Sequence, residues 1–190
     1  SASEAEKYND YKELPLVSTG CDSYASWDVR FKHLSPMLTV NAIVDRMQEL
    51  LPGGVFDRDK HLIITGGEPL LGWQRAFPAL LDTIYNRDMG LEALTFETNG
   101  SQELSDELCN YLAERAFDQG LEVTFSISAK LPSSGEKWEE AIRPDYVAGY
   151  LDVPGNKSYF KFVVSTAEDI KDVKRAVSQY REAGIDLPVY

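Results

Sequence analysis

The sequence predicts an α/β fold of parallel strands alternating with helices, forming an incomplete βα barrel or a wound sheet within one domain over residues 1–190. Three observations predict it. Apolar runs begin near residues 61, 93, 121, 159 and 187, roughly thirty residues apart, which is the length of one βα unit. Between them, apolar residues recur at helical spacing. The runs also end in glycine, threonine, asparagine or serine, so polar groups collect where parallel strands terminate.

The elements follow in order. Residues 1–13 are polar and charged and read as a loop or frayed end. Leu14 to Val17 is a short apolar run broken by Pro15, an edge strand or extended segment. The next stretch, TGCDSYASWDVRFKHLSP, is read as an ordered loop, because Tyr24, Trp27 and Phe31 have apolar area to bury. Thr39 caps a helix through Leu51, with Val40, Ile43, Val44, Met47, Leu50 and Leu51 on one face and Pro52-Gly53-Gly54 to end it. Leu62 to Ile64 reads as a buried strand. A helix from Trp73 to Arg87 turns Phe77, Leu80, Leu81 and Ile84 inward, with Pro78 separating or kinking its first turn. Ala93 to Glu97 is the next strand. Ser105 caps a helix to Gln119 that Gly120 stops, and Leu121 to Ser128 is a strand. A weak helix spans Trp138 to Ile142, and residues 143–158 read as irregular, given Pro144, Gly149, Pro154 and Gly155. Tyr159 to Val164 reads as a strong strand. The helix from Glu168 to Ala183 turns Ile170, Val173, Val177 and Tyr180 inward. Leu187 to Tyr190 begins a further strand. An uncovered parallel edge is unusual, so Tyr190 reads as an interior cut.

Composition narrows the function. Hydrophobic residues at 43% and charged residues at 26% are ordinary for a globular protein. No apolar run approaches the roughly 20 residues of a membrane span, and the polar, acidic start is unlike a signal peptide. A cytoplasmic protein is expected, without membrane attachment. The net charge of −12 opposes direct nucleic-acid binding. Cys21 and Cys109 are too few for a disulfide framework. Cys109 falls on a helix and reads as a packed thiol. His33 and His61 have no metal-ligand spacing around them.

The chemistry-bearing stretch is HLIITGGEPLL, residues 61–71. Gly66 and Gly67 end its strand, allow positive φ and place no Cβ between the backbone and a bound group. Glu68 follows, and Pro69 keeps the turn out of any helix or ladder. A lone Gly-Gly is ordinarily a solvated turn. Here the neighbouring strand ends add Thr65, then Glu97, Thr98 and Asn99, then Ser126, Ser128 and Lys130, then Ser165. Carboxylates, hydroxyls and a lysine around one pocket suit the amino, carboxylate and ribose groups of a nucleoside-type ligand.

The string ITGGEPLL resembles the GGEP motif of radical S-adenosylmethionine enzymes. With GCDSYASW, TFETNG and SISAKLPSSGE, the chain from about residue 14 onward is similar to the 7-carboxy-7-deazaguanine synthase family in a long-loop, phage-like form. The resemblance implies a modified, partial parallel βα barrel of the radical S-adenosylmethionine type. It implies a lyase converting 6-carboxy-5,6,7,8-tetrahydropterin to 7-carboxy-7-deazaguanine and ammonia, in 7-deazaguanine and queuosine biosynthesis. It also implies a [4Fe–4S] cluster, S-adenosylmethionine and Mg²⁺ as cofactors, a homodimer, and the host cytoplasm if a phage encodes the chain. By position, Cys21 matches a cluster thiolate. Ser23 stands where the family has a Mg²⁺-binding threonine, and Trp27 matches a nearby tryptophan. Gly66, Gly67 and Glu68 match the site for the cofactor's amino group, with Thr65 before them. Glu97 and Ser128 match ribose-binding positions, and Lys130 matches the lysine of the same strand end. Cys21, Glu68 and Lys130 are the residues expected to serve catalysis.

One departure is serious. A site-differentiated cluster takes three protein thiolates, and residues 1–20 hold no cysteine. The resemblance therefore reads this chain as cut at both ends, with two cysteines expected upstream. A degenerate, cluster-free adenosyl-binding protein is the alternative, and a different radical enzyme, such as an activating enzyme, is a third.

Overall fold

The computed structural model describes residues 6–15, 24–57 and 59–190, apart from the side chains of Ser26 and Trp27. Its contacts divide the chain into two compact units, Ser1–Thr39 and Val40–Tyr190.

The first unit is held by a small aromatic core. Helix α1 (Tyr24–Trp27) leads into a 3₁₀ turn at Val29–Leu34, which Asp28 caps by accepting from the Arg30 N–H. Ala25 and Phe31 are buried, with Tyr8, Leu14, Tyr24 and Leu34 packed around them. Tyr24 meets Phe31 edge to face at 5.4 Å, a preferred geometry for aromatic pairs. His33 is exposed, its Nε2 2.8 Å from the Tyr8 carbonyl. In the described part of the stretch read as a loop, residues 24–36, those two rings pack together and local capping turns part of it helical.

The second unit is a parallel sheet with helices between its strands. Among the described residues the strands are β1 (Leu62–Ile64), β2 (Ala93–Thr98), β3 (Glu122–Ile127) and β4 (Tyr159–Phe160), in the order β1-β2-β3-β4. All pairs are parallel, with Ile64 beside Phe96, Phe96 beside Phe125, and Ile127 beside Phe160. The alternation of strand side chains then defines two faces. Leu94, Phe96, Thr98, Val123, Phe125 and Ile127 are buried on the helix-covered face. Thr95, Glu97, Ser126, Tyr159 and Lys161 lie on the other face.

The helices are α2 (Val40–Leu50), α3 (Phe77–Asn86), α4 (Asp106–Gln119), α5 (Trp138–Ala141), α6 (Pro144–Tyr150) and α7 (Ala167–Glu182). Local signals place their ends. The Ser105 hydroxyl accepts from the Leu108 N–H, and Gly120 closes α4 in the left-handed conformation. Thr166 and Asp169 form a reciprocal capping box on α7. Pro78 opens α3 after a separate 3₁₀ turn at Gln74–Ala76, as the proline implied. Beneath the sheet a row of rings runs Phe77, Phe96, Phe125, Tyr150, with centroids 5.4, 5.5 and 4.8 Å apart. Arg87, at the end of α3, reaches Asn41, Asp45 and Gln48 and ties α3 to α2.

Four readings are corrected. β1 is a half-exposed edge strand with Ile63 45% exposed, because no described strand pairs with its outer side. Residues 144–150 are helical: Pro144 occupies the first turn, where its missing N–H costs nothing, and Val147 and Tyr150 are fully buried. Leu50 and Ile170 point outward, and in the first turn of α7 it is Asp169 that is buried. β4 is shorter than its apolar run, since ladder pairing stops at Phe160 and Val163 and Val164 are exposed. The last residues do lie along it, with a parallel bridge between Phe160 and Val189 and the Tyr190 N–H donating to the Phe160 carbonyl at 2.9 Å.

Candidate functional site

The carboxyl ends of the parallel strands build the site. Gly66 takes φ +114°, and no atom lies within 4 Å of the place its Cβ would occupy. The backbone is thus open to its surroundings at the end of β1. Glu68 then turns across the sheet. Its Oε1 accepts from the Leu70 N–H at 3.1 Å and the Thr98 hydroxyl at 2.7 Å, and its Oε2 accepts from the Asn99 N–H at 2.7 Å. A carboxylate oxygen accepts two hydrogen bonds, so among the described residues Oε2 keeps one further position. Glu68 is therefore a clamp joining the turn after β1 to the turn after β2.

A second clamp lies behind it. The Gln74 amide donates to the Leu70 carbonyl at 2.9 Å and the Glu103 carbonyl at 2.7 Å, and its oxygen accepts from the Ser105 N–H at 2.8 Å. Gly100 permits the turn between these groups: it has φ +75°, and a Cβ there would stand 2.9 Å from Ile127 Cγ2. Tyr150 packs below and donates to the Gln102 carbonyl. Burial above all, with a smaller part from the Glu68 charge, pushes its hydroxyl above the ordinary phenol range.

These turns border a cleft of about 440 Å³ lined by Glu68, Asn99, Ser101, Lys130, Glu140 and Arg143, among others. Two of the expected residues, Glu68 and Lys130, meet there. Glu97 and Ser128 lie instead on the uncovered face of the sheet. Glu97 is level with Ser126 on β3, and Ser128 stands two residues further along the same face. Ser165 serves α7, its N–H donating to Asp169 at 2.8 Å. Cys21 and Ser23 lie outside the described residues. The sequence reading missed Arg143 and Lys161. Lys161 carried a usable signal, a lysine alternating with Phe160 and Phe162, which places it on the face opposite those rings.

The metal chemistry does not fit this chain by itself. Three thiolates are needed, and the chain has two cysteines. Among the described residues, no three of His, Cys, Asp and Glu gather to hold a metal ion. Cys109 sits half-buried on α4. Burial, then the charges of Asp152 and Asp106, push its thiol up and make it a poorer ligand. An adenosyl group fits better: an open glycine backbone, a carboxylate with a spare acceptor position among the described residues, and further carboxylate, hydroxyl and ammonium groups at adjoining strand ends.

An open parallel α/β sheet with polar groups at its carboxyl ends belongs to the class of proteins that bind small molecules at that edge. Comparison with known proteins narrows this. The chain is 30% identical to a 7-carboxy-7-deazaguanine synthase of Pyrobaculum aerophilum over 166 residues, covering 87% of this chain and 61% of that protein's length. The chain thus spans about three-fifths of that relative. The likeness carried by the short motifs therefore extends along most of the chain, which is similar in sequence to that synthase. No family model matches it, and no solved structure does. No helix among the described residues is long and apolar enough to cross a membrane.

Proposed function

We propose that this chain is the adenosyl- and substrate-binding βα portion of a 7-carboxy-7-deazaguanine synthase. The reaction is conversion of 6-carboxy-5,6,7,8-tetrahydropterin to 7-carboxy-7-deazaguanine and ammonia, with the parallel sheet forming part of a radical S-adenosylmethionine barrel. What supports the reading is the meeting of Glu68 and Lys130 at one cleft, with Glu97 and Ser128 at the carboxyl ends of the neighbouring strands β2 and β3, in a chain similar to that synthase.

Each residue has a role in this reading. The Gly66–Gly67 backbone and the spare acceptor position on Glu68 hold the methionine amino group, with Thr65 fixing the turn. Glu97 and Ser128 take the ribose hydroxyls. Lys130, at the rim of the cleft, serves the reacting groups. S-adenosylmethionine, when bound and reduced, supplies hydrogen-atom abstraction; the chain positions it and excludes water. Cys21 contributes one thiolate and Ser23 a hydroxyl toward Mg²⁺, a hard ion that suits oxygen. Since the thiolates do not add up to a cluster, no step is assigned to one. The substrate is a small pterin, the expected assembly is a homodimer, and the expected location is the cytoplasm.

The cysteine count favours a second reading, a cluster-free adenosyl-binding protein. Two measurements separate the possibilities. Titration calorimetry with S-adenosylhomocysteine is expected to show binding that falls roughly tenfold or more in Glu97→Gln, as loss of a charge-assisted hydrogen bond predicts. Absence of binding by the unaltered chain would reject both readings. Anaerobic reconstitution with iron and sulfide should leave the 190-residue chain colourless; a broad visible band with bound iron would overturn the thiolate argument.

A further inference from the structure

One wall of the cleft is carried by a strap, residues 131–143, which runs from the end of β3 through α5 to the start of α6. Its two ends are anchored. Leu131 and Ile142 are buried. Arg143 pairs with Asp145, and its guanidinium lies 3.5 Å from the centre of the Tyr146 ring. Between these ends the residues from Pro132 to Glu140 are exposed, apart from Trp138. Helix α5 is four residues long and has no side-chain cap. So short a helix is not stable through its own hydrogen bonds, and something outside the strap must fix its place.

Trp138 supplies the attachment. Its indole N–H donates to Gln179 Oε1 at 2.9 Å, and the Arg175 guanidinium lies 3.9 Å from the centre of its ring. Arg175 and Gln179 are four residues apart on α7 and so share one helix face. That face clasps the indole by its edge and by its ring. Nearer β3, the Ser133 hydroxyl bonds the buried Asp169 carboxylate at the start of α7. While Trp138 is held by α7, its neighbours Glu139 and Glu140 line the cleft together with Glu136 and Glu68. The cations lining it are Lys130 and Arg143, and Arg143 is already paired with Asp145. Carboxylates thus outnumber free cations in the cleft. They repel one another, which is the physical reason the strap needs a clasp.

We propose that Trp138 is a positioning residue: clasped by Arg175 and Gln179, it sets the acidic wall of the cleft, and that wall selects a sulfonium ligand over its uncharged thioether counterpart. This rests on the functional reading given above. S-adenosylmethionine and S-adenosylhomocysteine share one frame and differ by a methyl group and one positive charge on sulfur. A single contact between unit charges at about 4 Å in a watery site is worth a factor of roughly five, and more than one carboxylate lines the wall. A strap held in one place keeps those carboxylates within range of the ligand. A strap released from α7 drifts away from Glu68 under like-charge repulsion, and the preference for the cation falls.

The test is titration calorimetry at low salt with both ligands. The unaltered chain should bind S-adenosylmethionine roughly fivefold to twentyfold more tightly than S-adenosylhomocysteine. Changing Glu139→Gln and Glu140→Gln together should bring the two within about twofold. Arg175→Met should lower the preference by about threefold or more. The direction is decisive, because loss of a cation acting by charge alone would raise the preference for a cationic ligand. Arg175→Lys keeps a cation for the ring and should restore most of it. Amide hydrogen exchange reads the clasp without any ligand. In Arg175→Met, residues 132–141 should exchange roughly twofold to tenfold faster, the effect of a lost cation–π contact, while α3 and α4 keep their protection. Equal affinity for the two ligands overturns the proposal, as does an unchanged or raised preference in Arg175→Met. Unchanged exchange in the strap, or faster exchange throughout, also overturns it. Failure of the unaltered chain to bind either ligand would instead count against the functional reading, and exchange alone would then decide the role of Trp138. Salt guards against a variant that does not fold: in the unaltered chain the preference should shrink as salt is added, and a level preference overturns the proposal.

Discussion

Replacing Glu68 by alanine removes a clamp as well as a ligand contact. In the structure the carboxylate accepts from the Leu70 N–H at 3.1 Å, the Thr98 hydroxyl at 2.7 Å and the Asn99 N–H at 2.7 Å. Thr98 is 2% exposed, so its hydroxyl cannot turn to bulk water. It retains one bond, accepting from the Gly100 N–H at 3.1 Å. The other two donors sit in turns where water can replace part of what is lost. Counting one buried bond near the charged-group range and two partly rehydrated ones, the expected loss is about 2–4 kcal/mol. For a unit of this size, each kcal/mol lowers the melting temperature by about 2–4 °C, so a fall of about 4–16 °C is expected. Thermal melts followed by circular dichroism measure it. Glu68→Gln should fall between, because a neutral amide keeps one acceptor oxygen and presents an NH₂ group to a donor. A Glu68→Ala protein melting within a degree of the unaltered one would refute the clamp and leave Glu68 as a solvent-facing ligand group.

Gly100→Ala places a methyl 2.9 Å from Ile127 Cγ2 and 3.4 Å from Val147 Cγ2 at φ +75°. A loss of about 1–3 kcal/mol is expected as a lowered urea midpoint with unchanged slope, and an unchanged midpoint would show that the turn relaxes freely. Asp169 gives a pH signature. Bonds from the Ser133 hydroxyl first, then the Ser165 and Thr166 backbone, hold its carboxyl at about 2, below its ordinary 3.8. A carboxyl lowered on folding contributes stability that is complete above the unfolded value and is lost as pH falls through the folded one. Acid unfolding of the unaltered protein should therefore steepen between pH 4 and 2, and Asp169→Asn should flatten that limb. Parallel acid limbs in the two proteins would remove Asp169 from the account.

Much was legible in the sequence because it depends on near neighbours. The caps at Ser105, Gly120 and Thr166 act within one helical turn, and the helix and strand periodicities need only the local pattern of apolar residues. The glycine turn before Glu68 is local too, and the string around it pointed to the family that the Pyrobaculum aerophilum protein represents. The tertiary structure decided what depends on strand order and register. Glu68 takes its partners thirty and thirty-one residues away, because the parallel pairing of β1 and β2 lays one turn over the next. Lys161 meets Glu97 only because β3 lies between their strands. Ile63 is exposed because β1 is an outer strand, and Ile170 because Asp169 takes the buried position beside it. A hydrophobic pattern says that a residue can be buried. Which partner stands opposite, and whether any does, is set by contacts between segments that one sequence does not place side by side.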